Sequence, residues 1–462
     1  MSSFRFAIVL PAVLLAGCSS LTTQYVRPAL PSAPLWMDSS GISNPVAAVQ
    51  WWRSFGDPKL DQLVETVLAN NNDLFAANLR VRKALLQADM AGVAKVPQLS
   101  GTGSAQSTVP LNDTGASSDS FNLGLGASYE IDLWGRLASG QDMAALQATA
   151  SAEDVEAART TVIASTIETY WRLAYTNQDL TAARASLAVA RQVEDLIKSQ
   201  AVAGAATELE LAEMRQTVES QAASLSDLEQ NRVVLRNALG VLLNGVANPV
   251  DEPQNLPRRT PVQITAGLPA DLLARRPDLR AAELRLRAAL RNVDGTKASL
   301  YPQITLTGNL GAASTDLLQI LANPIATLGA GLVLPFLNFR DGELRVKVSE
   351  VDYQLAVTEF RSALLTAFSD TGTALSARTT LNQKSHRLRA ALEAAQSAEK
   401  LTEERYRTGS VALRIWLDAQ ERSRAANRAL AANRLEQLVT EVQIFRVLGG
   451  SPSVSASLPA SR

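Results

Sequence analysis

The feature that most constrains the fold is an internal duplication with a spacing of 205 residues. Asp73-Leu-Phe-Ala-Ala-Asn-Leu-Arg-Val-Arg-Lys-Ala-Leu85 aligns with Asp278-Leu-Arg-Ala-Ala-Glu-Leu-Arg-Leu-Arg-Ala-Ala-Leu290, and nine of the thirteen positions are identical. The same spacing carries Pro97-Gln98 onto Pro302-Gln303 and Gly204 onto Gly409. Leu239-Gly240 meets Leu448-Gly449 after a few residues of drift. Chance could supply the first match, but not landmarks in register across more than a hundred residues. The chain is built from two copies of one unit.

In each copy the predicted order is helix, strand pair, long helix, turn and returning helix. Leu60 to Val96 reads as one helix, which Pro97 stops. After a Gly-, Ser- and Thr-rich stretch, Phe121, Leu123, Leu125, Ala127, Tyr129 and Ile131 alternate with Asn122, Gly124, Gly126, Ser128, Glu130 and Asp132. This period of two gives one apolar and one polar face, which suits a strand with lipid on one side and water on the other. Copy two repeats it with Ile304, Leu306 and Leu310 against Thr305, Thr307 and Asn309, then Ala330, Leu332, Leu334 and Phe336. The expected strands are 98–108 and 120–132, then 303–311 and 327–336. Four strands cannot close a barrel, since closure takes at least about eight, and an open edge cannot stand in lipid. Several chains therefore share one barrel; two, three or four copies would give eight, twelve or sixteen strands, and geometry alone does not choose.

Each strand pair precedes a helix free of proline for more than sixty residues, 136–203 and 340–408. At 1.5 Å per residue each is about 100 Å long, a length typical of coiled coils. Val155, Val162, Thr169, Thr176, Ala183, Ala190 and Ile197 recur every seven residues beside Leu173, Leu180 and Leu187, and Leu381, Leu388 and Ala395 begin the same pattern. Gly204 and Gly409 end these helices, each followed by Thr or Ser where a new cap forms. The chain then returns as helices 208–243 and 413–448. Repeat 1 thus spans 60–243 and repeat 2 spans 278–449. Between them the connector 244–277, with prolines at 249, 253, 257, 261, 269 and 277, is not a low-complexity linker. Residues 450–462 read as a flexible tail.

The N-terminus carries one charge, Arg5, and an apolar run from Phe6 to Ala16. That run is too short to span a bilayer but fits a signal-peptide core over residues 1–17. Leu15-Ala-Gly-Cys18 resembles the lipobox of bacterial lipoproteins and uses the only cysteine in the chain. Cys18 is therefore the expected lipid attachment site and mature N-terminus. Ser19 in place of Asp implies, by the same resemblance, passage to the outer membrane. A single acylated cysteine leaves no disulfides, so packing alone holds the fold.

With 44 basic and 45 acidic residues and no Lys/Arg block, nucleic acid is excluded as a partner. No cofactor or metal is expected. His386 is the only histidine and sits mid-helix between Lys384 and Arg387, so no partner exists for a metal cluster or nucleophile pair. Glu208 and Glu210 lie where helix-start acids are common, and no glycine cluster matches a phosphate-binding loop. The chain is not read as an enzyme. A lipid-anchored coiled coil without a pore would need neither alternating strands nor their duplication, and an envelope enzyme on a helical stalk lacks a site.

Tyr25-Val-Arg-Pro28, Trp51-Trp-Arg-Ser-Phe-Gly-Asp-Pro58, Gly267-Leu-Pro-Ala-Asp-Leu-Leu-Ala-Arg-Arg-Pro-Asp278, Tyr301-Pro-Gln-Ile304, Arg405-Tyr-Arg-Thr-Gly409 and Leu417-Asp-Ala-Gln420 resemble the lipoprotein branch of the TolC-like outer-membrane efflux proteins. The resemblance runs from Cys18 to Gly450. It implies an α+β membrane protein acting as a homotrimer: four strands per chain in a shared twelve-stranded barrel, continuous with a periplasmic α-helical tunnel. It implies a periplasmic adaptor and an inner-membrane efflux transporter of the resistance-nodulation-division type as partners, besides outer-membrane lipid. A MacB-type or type I secretion system is the alternative. Residues 18–59 and the connector would form a belt around the tunnel. Gly204, Ala205, Thr207, Gly409 and Ser410 would meet the adaptor at the tip. Arg405, Tyr406, Arg414, Asp418 and Glu210 would form the periplasmic gate. Arg414 departs from close relatives, which carry an apolar residue there.

Overall fold

A computed structural model describes residues 21–28, 50–111, 117–257, 275–322 and 324–450. Cys18, the leader, most of the 18–59 extension, residues 258–274 of the connector and nearly all of the tail lie outside these. Helices α1 (Pro58–Asn70) and α2 (Asn72–Val93) lead into strands β1 (Gln98–Thr108) and β2 (Ser118–Ile131), then α3 (Arg136–Val202) and α4 (Glu208–Leu242). The second series is α5 (Pro277–Ala298), β3 (Gln303–Ser314), β4 (Pro324–Val333), α6 (Phe339–Arg407) and α7 (Leu413–Val447). No described helix is long and apolar enough to cross a membrane. The chain divides into two compact units; α3 and α6 contribute to both.

The first unit holds residues 21–28, 78–154 and 278–363 and is organised by one antiparallel sheet in the order β1-β2-β3-β4. Register sorts its side chains cleanly. Leu125 lies opposite Gly101 and Leu310, and Leu310 opposite Ala326, while Gly126 lies opposite Ser100 and Asn309, and Asn309 opposite Thr327. One face is therefore leucine-rich and largely uncovered, with Leu125 63 % and Leu328 91 % exposed. The other carries mainly hydroxyls, amides and glycines, with Glu130 near one end of β2 and Ile325 and Val333 near the ends of β4. Every residue of β1 and β4 is exposed, so both edges of the sheet are open.

Two strand expectations are corrected. β3 runs on to Ser314. β4 starts at Pro324 and stops at Val333, so Leu334 and Phe336 are not strand residues. Pro335 has no N–H for a ladder and instead opens a short 3-10 turn over Pro335–Asn338.

The N-terminal strap 21–28 is fastened to α5 by buried charge. The Thr23 backbone N–H and hydroxyl donate to Asp294 at 3.0 and 2.6 Å, Arg27 donates to Glu283 at 2.7 Å, and Arg287 lies 4.7 Å over the Tyr25 ring. Asp294 is almost fully buried. Burial pushes the Glu283 carboxyl upward, but the hydrogen bonds and charges of Arg27 and Arg287 more than offset it and hold it below the usual range.

The second unit comprises 50–77, 155–257, 275–277 and 364–450. Its core joins Trp51 and Trp52 to Leu60, Leu63 and Val67 of α1, Ile167 and Trp171 of α3, Leu239 of α4, and Leu438 and Val442 of α7. Trp51 stacks on Phe445 at 4.7 Å, and Phe55 meets Trp171 edge-on at 4.8 Å. Burying each such side chain contributes about 1.5–3 kcal/mol. The predicted single helix 60–96 is broken here at Asn71. Its Oδ1 accepts from the N–H groups of Asp73 and Leu74, capping α2, while its Nδ2 donates to the carbonyl of Leu242. In the connector, Glu252 receives Arg232 and Arg236, both at 2.7 Å, and Leu256 is buried, so 244–257 is packed structure.

Candidate functional site

The candidate site lies where α3 turns into α4 and α6 turns into α7. Both turns use the same backbone device. Gly204 and Gly409 sit at φ +70° and +71°, a region costly for other residues, and a Cβ at either would meet no neighbour. At the first turn Ala205 N–H bonds the carbonyl of Gln200 (2.8 Å) and Gly204 N–H that of Ala201 (3.0 Å). At the second, Ser410 N–H bonds the carbonyl of Arg405 (2.8 Å) and Gly409 N–H that of Tyr406 (2.9 Å). These are two Schellman motifs, which satisfy the carbonyls that each long helix leaves unpaired.

The returning helices start differently. Thr207 caps α4: its hydroxyl oxygen accepts from Glu210 N–H (3.2 Å), and the Glu210 carboxylate accepts from Thr207 N–H (2.8 Å). Ala412 precedes α7 with no side-chain cap. That helix is held by packing instead. Leu413 and Trp416 join Ile197 of α3 and Leu211 of α4 in a small apolar cluster, and Tyr406 stacks on Trp416 at 5.2 Å.

The structure brings two of the five gate candidates into electrostatic contact. Burial raises the Tyr406 pKa, and the nearby negative charge of Glu210 raises it further. The Glu210 carboxylate is at the same time committed to its capping box. Arg405, Arg414 and Asp418 are exposed, and no ion pair joins them within the chain among the described residues. Gly204, Ala205, Gly409 and Ser410 are exposed at the turns, and Thr207 is exposed beside the first. Lys384 and His386 are exposed mid-helix. Sequence reasoning missed Trp416, and it read Ile197 only as a seam position and not as a partner of Leu413. A tryptophan three residues into a helix was the available signal, but its partners come from other helices. The chemistry here is that of apolar packing around a few charges, and no set of three or more His, Cys, Asp or Glu side chains among the described residues is placed to hold a metal ion.

Comparison with known proteins gives a consistent picture. The family model for outer membrane efflux protein matches residues 63–245 and again 268–450, two stretches offset by 205 at both ends. The chain is 34% identical over 471 residues to the pyoverdine export outer membrane protein OpmQ of Pseudomonas aeruginosa, covering 97% of each. It is 31% identical to the toluene efflux pump outer membrane protein TtgC of Pseudomonas putida, covering 97% of this chain and 96% of that one. Its structure resembles crystal structures of CusC, a protein that forms a transmembrane channel, with TM-score 0.83 and 26% identity over 94% of this chain and 100% of that one. It also resembles the open state of the MtrE outer membrane channel of Neisseria gonorrhoeae, with TM-score 0.82 and 28% identity over 94% and 98%.

Proposed function

This chain belongs to the outer membrane efflux protein family, and on that premise we propose that three copies form one passive exit duct for small molecules. It is an outer-membrane channel component of an efflux system. The observation that carries the trimeric duct is the sheet: four strands with one apolar face, one uncharged polar face over most of its length, and two open edges. In the proposed assembly β4 of each copy pairs with β1 of the next, closing a twelve-stranded barrel with lipid outside and water within. The helices α3, α4, α6 and α7 build the periplasmic tunnel. A lipid on Cys18 anchors each copy, and the strap on α5 fixes the segment that follows. The two glycine turns dock a periplasmic adaptor, which connects the duct to an inner-membrane pump. Cargo of the kinds named for OpmQ and TtgC, pyoverdine or toluene, would pass without chemical change.

The gate is read at the same two turns. Three copies of Asp418 near the axis would repel one another, and Arg405 and Arg414, which form no ion pair within their own chain among the described residues, supply the offsetting cations. The test is single-channel conductance of the purified protein in planar bilayers. The protein conducts as a trimer, Tyr406→Phe combined with Asp418→Ala raises conductance, and Lys384→Ala leaves it unchanged. A trimer that never conducts overturns the duct. An unaltered double variant removes only these residues from the gate. For the anchor, Cys18→Ser abolishes acyl labelling while the barrel keeps the protein in the membrane.

A further inference from the structure

The two strand connections at the end of the sheet away from the helices differ in chemistry. The β1–β2 connection, Val109-Pro-Leu-Asn-Asp-Thr-Gly-Ala-Ser117, has a polar centre, Asn112-Asp-Thr114, with one charge. The β3–β4 connection contains Leu317-Leu-Gln-Ile-Leu-Ala322, a 3-10 turn, and no charged residue occurs from Leu317 to Phe339. Asp316 caps the turn, its carboxylate accepting from Leu318 N–H at 3.0 Å.

Burial tells which face of the sheet the turn covers. It touches β2 and β3. Near that end the paired polar-face residues Asn122 and Ala313 are both exposed. On the apolar face Ala312 is 8% exposed and Phe121 is half-buried, while Leu310, further along β3, is 53% exposed. The turn therefore lies against the apolar face. A 3-10 turn repeats every three residues, so Leu318 and Leu321 share a side. Ile320 is half-buried, whereas Leu318 is 93% and Leu321 71% exposed, pointing away from the sheet.

We propose that Leu317–Ala322 is a lipid-embedded flap, whose leucines Leu318 and Leu321 project into the acyl chains of the outer leaflet. The inference rests on the barrel reading. The occupant is argued from continuity: the flap lies on the same apolar face as Leu310 of β3 and Leu125 of β2, the face that meets lipid in a closed barrel. Outward leucines suit hydrocarbon and not water, and the 3-10 hydrogen bonds of the turn, with Asp316 on Leu318 N–H, pair backbone groups that lipid could not satisfy. Its effect is to thicken the apolar wall at the rim, where the strands themselves end in Ser314 and Pro324.

The experiment uses the full acylated chain reconstituted in liposomes, with Leu318→Cys, Leu310→Cys and Asn122→Cys made singly; the parent protein, whose Cys18 carries lipid, is the blank. A charged, membrane-impermeant maleimide needs the thiolate, so a thiol held in hydrocarbon reacts about tenfold or more slowly. Slow reaction is expected at Leu318→Cys and Leu310→Cys, and fast reaction at Asn122→Cys. A bimane fluorophore placed at Leu318→Cys before reconstitution is quenched by lipids carrying a nitroxide on the acyl chain. Fast labelling at 318 with 310 protected puts the turn in water and overturns the flap while the barrel stands. Fast labelling at 310 overturns the barrel reading and the flap with it. Protection at 318 without quenching by lipid means that protein covers the turn, and also overturns the proposal.

Discussion

The two glycine turns differ sharply in everything but their backbones. Gly204 and Gly409 have the same left-handed conformation and the same pair of closing hydrogen bonds. Beyond that, the first turn is secured by polar groups: Thr207 and Glu210 satisfy N–H groups at the start of α4. At the equivalent positions, 205 residues on, the second turn has Ala412 and Ile415, which cannot. It has instead Tyr406 and Trp416 where the first has Ala201 and Leu211. Duplication kept the backbone device that reverses a long helix, because only a few residue types tolerate it. The means of holding the returning helix diverged. One turn is fixed by hydrogen bonds within three residues of each other, the other by aromatic packing that draws on four helices.

The largest effect should come from removing the aromatic support. Trp416→Ala is expected to destabilise the second turn by about 3–5 kcal/mol, the usual range for a buried tryptophan. Its indole N–H is buried and donates to no group among the described residues, so Trp416→Phe, which keeps a ring against Tyr406, should cost far less. Hydrogen exchange of amides around Gly409 and Gly204 separates the two turns. Loss of protection confined to the second is expected, and equal loss at both would mean that the shared cluster with Ile197 and Leu211 makes them one cooperative unit. Next in size, Gly204→Ala and Gly409→Ala should each cost about 1–2 kcal/mol from backbone strain alone, because no neighbour obstructs the added methyl. Unequal costs by the same measurement would show that the turns differ in backbone tolerance as well as in support.

Much of the fold was legible in the sequence for a physical reason. A strand with two chemically different faces writes a period of two, and a helix without proline for more than sixty residues has few alternatives. The strand ends were less legible. Alternation continues past β4 through Leu334 and Phe336, but Pro335 cannot donate to a ladder, and hydrogen bonds decide where a strand stops. The break at Asn71 was hidden because asparagine fits inside a helical pattern; its capping role depends on a carbonyl 171 residues away. At the site, the glycines announced both turns. The Tyr406–Trp416 stack was not readable, since it joins two helices across the turn. Nor was the double role of Glu210, which caps its own helix and raises the pKa of a tyrosine on another.

A smaller effect tests whether the polar support can be transplanted. Thr207→Ala should cost about 1 kcal/mol by leaving α4 uncapped. Ala412→Thr should recover a few tenths to about 1 kcal/mol at α7, since Ala412 has the extended backbone that a cap residue uses. Adding Ile415→Glu completes the box. If Ala412→Thr leaves thermal stability and local exchange unchanged, the second turn is limited by its aromatic packing and not by its missing cap.

The smallest effect is electrostatic and belongs to one turn only. Tyr406 has a pKa above the ordinary tyrosine value of 10.0, first because its ring is partly buried and then because Glu210 is negative nearby. A phenol whose pKa rises on folding favours the folded state while it is neutral. That contribution is therefore complete below pH 10 and is lost as pH climbs through the raised value. Tyrosinate absorbance, taken as the difference between the parent protein and Tyr406→Phe, reports this titration directly. Glu210→Gln should move it down part of the way. Trp416→Ala, which uncovers the ring, should move it further, because burial is the larger cause. The first turn has Ala201 at the matching position and no phenol there, so alkaline loosening from this source should appear in hydrogen exchange at Gly409 and not at Gly204. Loosening of both at the same pH would mean that the two hairpins share one tip equilibrium, and that their different supports act on it together.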